Sequence, residues 1–290
     1  MSALALSLVV AAAFIHATWN LLAKRAASAG AAFVLAYTVS ACVLYIPWVG
    51  WELARGAMVW SWAAAAFLAL SGVLHLAYSL SLQRGYQVGD LSVVYPTARG
   101  SGPLVSSLGA FALLGETPTA LKLAGLACVV AGIVMIATQG RLANVATPSG
   151  RAGVRWGLLT GALIAAYSLA DAYAVKRLGV PPVILDWFSA LGRALLLAPA
   201  FAGRTQRARD AMAGKWRLAL WVGALSPLSY IFVLTALDIG APLSVVAPAR
   251  EMSMMVGALM GMLILREPVG LWRLAGCAVL IAGVAALQRG

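Results

Sequence analysis

Two stretches of the chain place an arginine inside an apolar run just beyond a proline. They are VVYPTARGSGP, residues 93–103, with Pro96 and Arg99, and VVAPAREMSMM, residues 245–255, with Pro248 and Arg250. A guanidinium never gives up its proton under ordinary conditions, so in apolar surroundings it needs an anion, either a carboxylate of the chain or one brought by a ligand. Each proline lacks an N–H, so the carbonyls of Ser92 and Ser244 lose their helical donors, and Pro96 and Pro248 become candidate hinges of broken helices. A plain structural kink is the competing reading for either proline alone. Together the two arginines suggest a polar cavity between the stretches. Arg99 and Arg250 would hold an anionic group such as a carboxylate or a phosphonate.

Other polar residues recur at helical spacing around these two. His16, Asn20 and Lys24 share one helix face, with Trp19 beside them, and Tyr167 and Asp171 share another. Tyr78, Tyr95, Tyr167, Tyr230 and Trp19 would supply cavity wall and hydrogen bonds, with His16 and Asn20 as further contacts. Glu251 comes directly after Arg250, and neighbours on a regular helix do not face each other. It therefore needs another partner: a proton, a ligand, or an arginine or lysine such as Arg193 or Lys24. Glu251 and Asp171 are the candidates for carrying a proton or meeting a substrate amine. Internal ion pairs are the rival explanation, foremost Arg193 with an aspartate, for which Asp186 lies two turns away on the same side. His75 alone reads as a hydrogen-bonded packing residue. Glu116 and Glu267 each sit beside a proline at the start of a helix (ETP, REP), where a carboxylate favours the positive helix end. Two histidines on separate runs without a cysteine pair make no metal site, no Walker motif is present, and no cofactor is expected.

The elements that must position these residues can be read from composition. Of 290 residues, 62% are hydrophobic and 10% charged, with mean hydropathy +0.91; soluble domains hold about 45–50% apolar and about 25% charged residues. The composition is that of an integral membrane protein. The net charge of +12 lies in short connectors, which fits orientation in a bilayer and not nucleic-acid binding. The first 20 residues carry no charge, so they read as a retained helix and not a secretory signal. Cys42, Cys128 and Cys277 lie inside apolar runs as small packing residues. A span needs about 20 apolar residues, and the punctuation predicts ten: 3–23, 31–50, 60–83, 90–114, 119–138, 154–175, 182–202, 216–236, 242–265 and 269–287. Small-residue rows at Gly153/Gly157/Gly161, Gly257/Gly261 and Ala275/Ala278/Ala282 are expected to pack helix on helix.

The chain also repeats itself. At an offset of 151, residues 99–133 align without a gap on 250–284, matching Arg99 with Arg250, Glu116 with Glu267, Gly125 with Gly276 and Gly132 with Gly283. Upstream the offset is 152 and pairs Tyr78 with Tyr230 and Pro96 with Pro248. Two repeats, 1–139 and 152–288, would hold five helices each. An odd number makes the second copy enter the membrane inverted, the usual plan of a secondary transporter with its site at mid-membrane. The expected fold is all-α, with ten transmembrane helices in two inverted five-helix repeats.

HATWNLLAK (16–24), YPTARGSGP, LGETPTALKLAGLACVVAG (114–132), VAPAREMSMMVGALMG and LREPVGLWRLAGCAVLIAG (265–283) resemble the drug/metabolite transporter superfamily, specifically its ten-helix EamA-type members. The resemblance implies a secondary transporter, not an enzyme, in the plasma membrane, expected to be a bacterial inner membrane; it says little about substrate, and the charged residues of both signs point to a small polar metabolite. An amino-acid-like substrate, exported, comes first; a phosphonate or other organic anion second; lipophilic drugs third. Protons are the candidate coupling ion, the bilayer is the surrounding partner, and the chain would act as a monomer or homodimer. An intramembrane enzyme and a non-transporting scaffold are the rivals from other classes. Arg193 falls near an arginine position common in the family. Apart from Arg99, Arg193 and Arg250, the Lys and Arg in and beside the connectors divide 13 to 5 between the two sides, which by the positive-inside rule puts both termini outside, whereas the resemblance implies both inside.

Overall fold

The computed structural model describes residues 1–89, 91–139, 147–265 and 270–290, with backbone alone for Ala27, Leu91, Ser92 and 261–265. The helices are α1 (Ala3–Arg25), α2 (Gly30–Ala54), α3 (Trp62–Val88), α4 (Leu91–Leu113), α5 (Ala120–Thr138), α6 (Pro148–Leu178) and α7 (Pro182–Leu197). The second half continues with α8 (Thr205–Ala211), α9 (Trp216–Asp238), α10 (Leu243–Ala249), α11 (Met252–Leu265) and α12 (Leu271–Arg289). Among the described residues nine helical runs are long and apolar enough to cross a membrane, counting Leu243–Met260 as one. The chain is an all-α, multi-pass membrane protein.

Local chemistry sets the starts. Ser2, Ser61, Thr119 and Thr147 each precede an apolar run, and each side-chain oxygen accepts a backbone N–H of the first turn. Lys24 and Arg25 close α1, where positive charge suits the helix C-terminus. Burial is the reverse of a soluble protein's. Leu271 is 84% and Trp62 94% exposed, while Glu251 is 0% and Asp171 1% exposed. Apolar side chains turn outward to lipid, and ionisable ones turn in, where they can find partners.

Glycines bring the helices close. Gly125 meets Gly283 and Gly132 meets Gly276, so α5 and α12 cross antiparallel; a Cβ on Gly132 would come 2.8 Å from the Gly276 carbonyl oxygen. Gly153, Gly157 and Gly161 press α6 on α4, as the small-residue row predicts, and a Cβ on Gly157 would come 2.6 Å from Thr97 Cβ. One other row is corrected, since Ala275, Ala278 and Ala282 are exposed. Gly257 faces open space, and the surroundings of its row partner Gly261 lie outside what is described. The packing face of α12 is Gly276, Leu280, Gly283 and Leu287, about 100° round the helix. Alanine sits as readily against lipid as against protein, so spacing alone did not choose the face. Elsewhere α1 lies on α9, α3 on α6, α4 on α6, and α2 and α7 on each other.

The two proline sites fold differently. α10 stops at Ala249 and α11 starts at Met252, with Arg250 and Glu251 in the turn between. Bonds tighten there: Glu251 N–H donates to the Pro248 carbonyl at 3.0 Å and Met254 N–H to the Glu251 carbonyl at 2.9 Å. The Ser244 carbonyl, freed by Pro248, accepts from Ser107 Oγ at 3.4 Å. The hinge expected at Pro96 is absent, because α4 runs unbroken from Leu91 to Leu113. Proline removes only one ladder bond. Thr97 and Ser101 hydroxyls bond back to carbonyls one turn earlier, and the glycine face of α6 holds α4 along its length.

Candidate functional site

The break after α10 turns Arg250 and Glu251 inward against α4 and α6. Arg99 Nε lies 2.7 Å from Glu251 Oε2, and its terminal nitrogen donates to Ser253 Oγ at 3.0 Å. The Nε–H is not aimed at the carboxylate oxygen, so the contact is ionic without hydrogen-bond geometry. The Tyr95 ring lies 5.9 Å from the Arg99 guanidinium carbon, within cation–π reach. Arg99 is thus met on three sides.

Arg250 is not. Glu251 Oε1 is 3.9 Å from its Nε, and its terminal nitrogen reaches Tyr167 OH only at 3.5 Å. Its Nε–H has no hydrogen-bond acceptor, although the residue is 5% exposed. Beside it runs a crevice lined by Ser168, Tyr230, Val233, Leu237, Leu243 and Ala247, about 10 Å³ in volume, room for about one water. Ser168 Oγ is also buried without a partner. This conformation holds the crevice closed around unpaired donors.

A second cluster abuts the first. Asp171 Oδ2 accepts from Tyr230 OH at 2.6 Å and lies 3.0 Å from His75 Nε2, while Oδ1 is buried without a partner. The His75 ring stacks on Tyr167 at 4.1 Å and meets Tyr230 edge-on at 5.3 Å. Tyr78 closes the aromatic wall 5.6 Å from Tyr167. Because Tyr167 also accepts from Arg250, one ring touches both clusters.

Several expectations need correction. Glu251 pairs with Arg99 across the chain, not with Arg193 or Lys24. Its sideways geometry assumed a regular helix, and the helix is broken at that residue. Lys24 is exposed. Arg193 forms no ion pair within 4 Å among the described residues; it lies within electrostatic range of Asp186 but its Nε has no partner. Not every residue on the first helix face reaches the site. His16 does come within electrostatic range of Arg99 and Arg250. Asn20 is exposed and donates to the His16 carbonyl at 2.8 Å, and Trp19 packs on the Phe33 cluster with its ring 4.8 Å from His16.

Glu116 is structural, as expected, but serves a distant helix. Its two carboxylate oxygens accept from Leu243 N–H at 2.6 Å and Ser244 N–H at 2.9 Å, capping α10. Lys176 stands 3.9 Å away and donates to the Ala241 carbonyl at 2.7 Å. Glu267 lies outside the described residues. Sequence reasoning missed Ser253 as a ligand of Arg99. Its signal was available: at the repeat offset Ser253 and Glu251 replace Gly102 and Gly100, two polar residues where the first copy has none.

No protein-family model and no curated protein matches the chain. A solved structure described only as "Crystal structure of protein" aligns over 99% of this chain and 96% of that one, with a TM-score of 0.73 and 17% identity. The two share a fold over their whole length, and at that identity the likeness speaks for fold alone.

Proposed function

We propose that the chain is a secondary transporter of the drug/metabolite type, built as ten helices in two inverted repeats and moving a small polar metabolite by alternating access. The observation that carries this reading is the pair of repeat-matched arginines at the centre. One is neutralised across the halves by Glu251, and the other keeps a buried donor unpaired beside a crevice. A scaffold gains nothing from an unsatisfied buried guanidinium, whereas a binding site needs one. A metal-dependent intramembrane enzyme would want three or more clustered metal-ligating side chains, and the described residues hold no such group.

The inverted plan draws support from packing. α5 and α12 are repeat-matched, and they run antiparallel. Matched partners recur as well: α3 on α6 mirrors α9 on α1, and α3 on α7 mirrors α9 on α2. α4, with 23 residues, is long enough to complete ten spans.

An amino-acid-like substrate fits best. Its carboxylate would take the open side of Arg250 and its ammonium the unpaired Asp171 Oδ1. Export from a bacterial cell across the inner membrane is the direction we assign. A phosphonate or other organic anion is the second reading, favoured by the free guanidinium alone. Lipophilic cations fit poorly beside two arginines. Counterflow of radiolabelled amino acids and of methylphosphonate in proteoliposomes tests the reading. Saturable exchange of either supports it and ranks the two; no saturable exchange of any probe rejects it. A reporter fused to the C-terminus fixes on which side of the membrane the termini lie.

A further inference from the structure

We propose that His75, Asp171 and Tyr230 form a proton-binding site in the membrane interior that loads and unloads during the cycle, and that Glu251 does not carry the proton. The site stands on geometry; its coupling to flux rests on the transporter reading.

Two acids are candidates, and their surroundings differ in kind. Glu251 lies 2.7 Å from Arg99 and 3.9 Å from Arg250. Neither arginine can give up its charge, so a proton on Glu251 would strand two buried guanidinium groups. Among the described residues Asp171 has no arginine within ion-pair distance. Its partners are an imidazole and a phenol, at 3.0 and 2.6 Å, and one of its oxygens is unused. The proton can move onto this cluster without breaking an ion pair. Imidazole is the side chain that changes charge between about pH 5 and about pH 8.

The groups facing His75 come from every neighbouring element. They are Tyr167 and Asp171 of α6, Tyr230 of α9, Arg193 of α7, Tyr78 of α3 itself and Arg250 of the turn, with Asp186 of α7 in range of Asp171. With His75 neutral, Arg99 and Arg250 balance Glu251 and Asp171, and Arg193 balances Asp186. A proton on His75 leaves one positive charge in excess and draws on the Asp171 carboxylate that a substrate ammonium would take. A net buried charge is costly, so proton and ammonium exclude each other, as proton-driven export requires, and loading at His75 is linked to the substrate at Arg250. Tyr167 gives the link a structure, since it accepts from Arg250 at 3.5 Å and stacks on His75 at 4.1 Å.

The chain has two histidines, so nitrogen-15 NMR of the full-length protein in lipid reads His75 directly, with His16→Gln assigning the second signal. His75 is expected to pass from imidazolium to neutral as the pH rises. Asp171→Asn should move the midpoint of that change by about one pH unit or more, because the imidazolium loses its carboxylate. Tyr230→Phe, which keeps the carboxylate, should move it less. A single protonation state from about pH 5 to about pH 8 overturns the proposal, and so does a midpoint unchanged in both variants. In proteoliposomes, His75→Gln should abolish pH-gradient-driven accumulation of L-alanine or methylphosphonate while counterflow persists. Accumulation that survives in His75→Gln and is lost in Glu251→Gln assigns the proton to Glu251 and overturns the proposal. Should wild-type protein show no flux of any probe, the transporter reading fails, and the NMR titration still decides the proton site.

Discussion

α4 and the α10–α11 pair carry the same arrangement, an apolar run, a proline and an arginine, yet one is a continuous helix and the other is broken at the arginine. The residues just C-terminal to each arginine differ as well. Gly100 and Gly102 succeed Arg99, whereas Glu251 and Ser253 succeed Arg250. The broken segment turns its two polar residues toward the intact helix, where they occupy Arg99. At the matching positions the intact helix has only glycines, and its Ser101 hydroxyl is spent on the Thr97 carbonyl, so Arg250 is left with a distant tyrosine. Tyr95 adds to the imbalance, because its repeat counterpart at the 152 offset is Ala247. Two arginines matched in sequence thus differ in their surroundings: one pairs with a carboxylate across the chain, and the other keeps an unpaired donor.

The largest expected effect breaks that pair. Arg99→Ala leaves Glu251 buried beside only a distant Arg250, and losing one member of a buried pair costs about 3–5 kcal/mol. Stability measured by unfolding in lipid or detergent should fall accordingly, and adding Glu251→Gln should recover much of the loss. If Arg99→Ala is as stable as the wild type, the pair does not hold the halves. Arg250→Ala should behave oppositely. Stability stays near normal, while substrate affinity falls by roughly 1.5–3 kcal/mol, about 10- to 150-fold. Arg250→Lys should rescue it poorly, since lysine lacks the planar fork. Equal stability losses in both alanine variants would erase the distinction between them.

Two smaller changes probe how the broken helix is held. Glu116→Ala removes both acceptors from the start of α10 and should cost about 1–2 kcal/mol. Because the contact ties the α4–α5 connection to α10, the loss should appear as faster hydrogen exchange at Leu243 and Ser244. Unchanged exchange there would mean that α10 keeps its start without the cap. Ser107→Ala should have the least effect, about 0.5–1 kcal/mol, since it removes one long bond to the Ser244 carbonyl. A similar loss from a control alanine at Ser106, which bonds the Pro103 carbonyl of its own helix, would show that the freed carbonyl is not special.

The sequence by itself determined the helices and the residues that must turn inward. Hydropathy and Ser/Thr caps place most helix ends within a few residues of the expected spans, with α6 starting six residues early at Pro148 behind its Thr147 cap. Buried arginines were legible because charge in a long apolar run has nowhere else to go, and the repeat was legible because identities survive at a fixed offset. Partner choice was not legible. Arg99 meets Glu251 at a sequence distance of about 150 residues, and Asp171 meets His75 and Tyr230 from three separate helices. Nor did sequence tell which proline breaks its helix, since both lose one backbone bond and only packing on α6 keeps α4 whole. Glu116 makes the same point: its acidity and its place beside a proline pointed to a helix start, but the tertiary structure chose which helix, because a carboxylate binds whichever free N–H groups lie within about 3 Å.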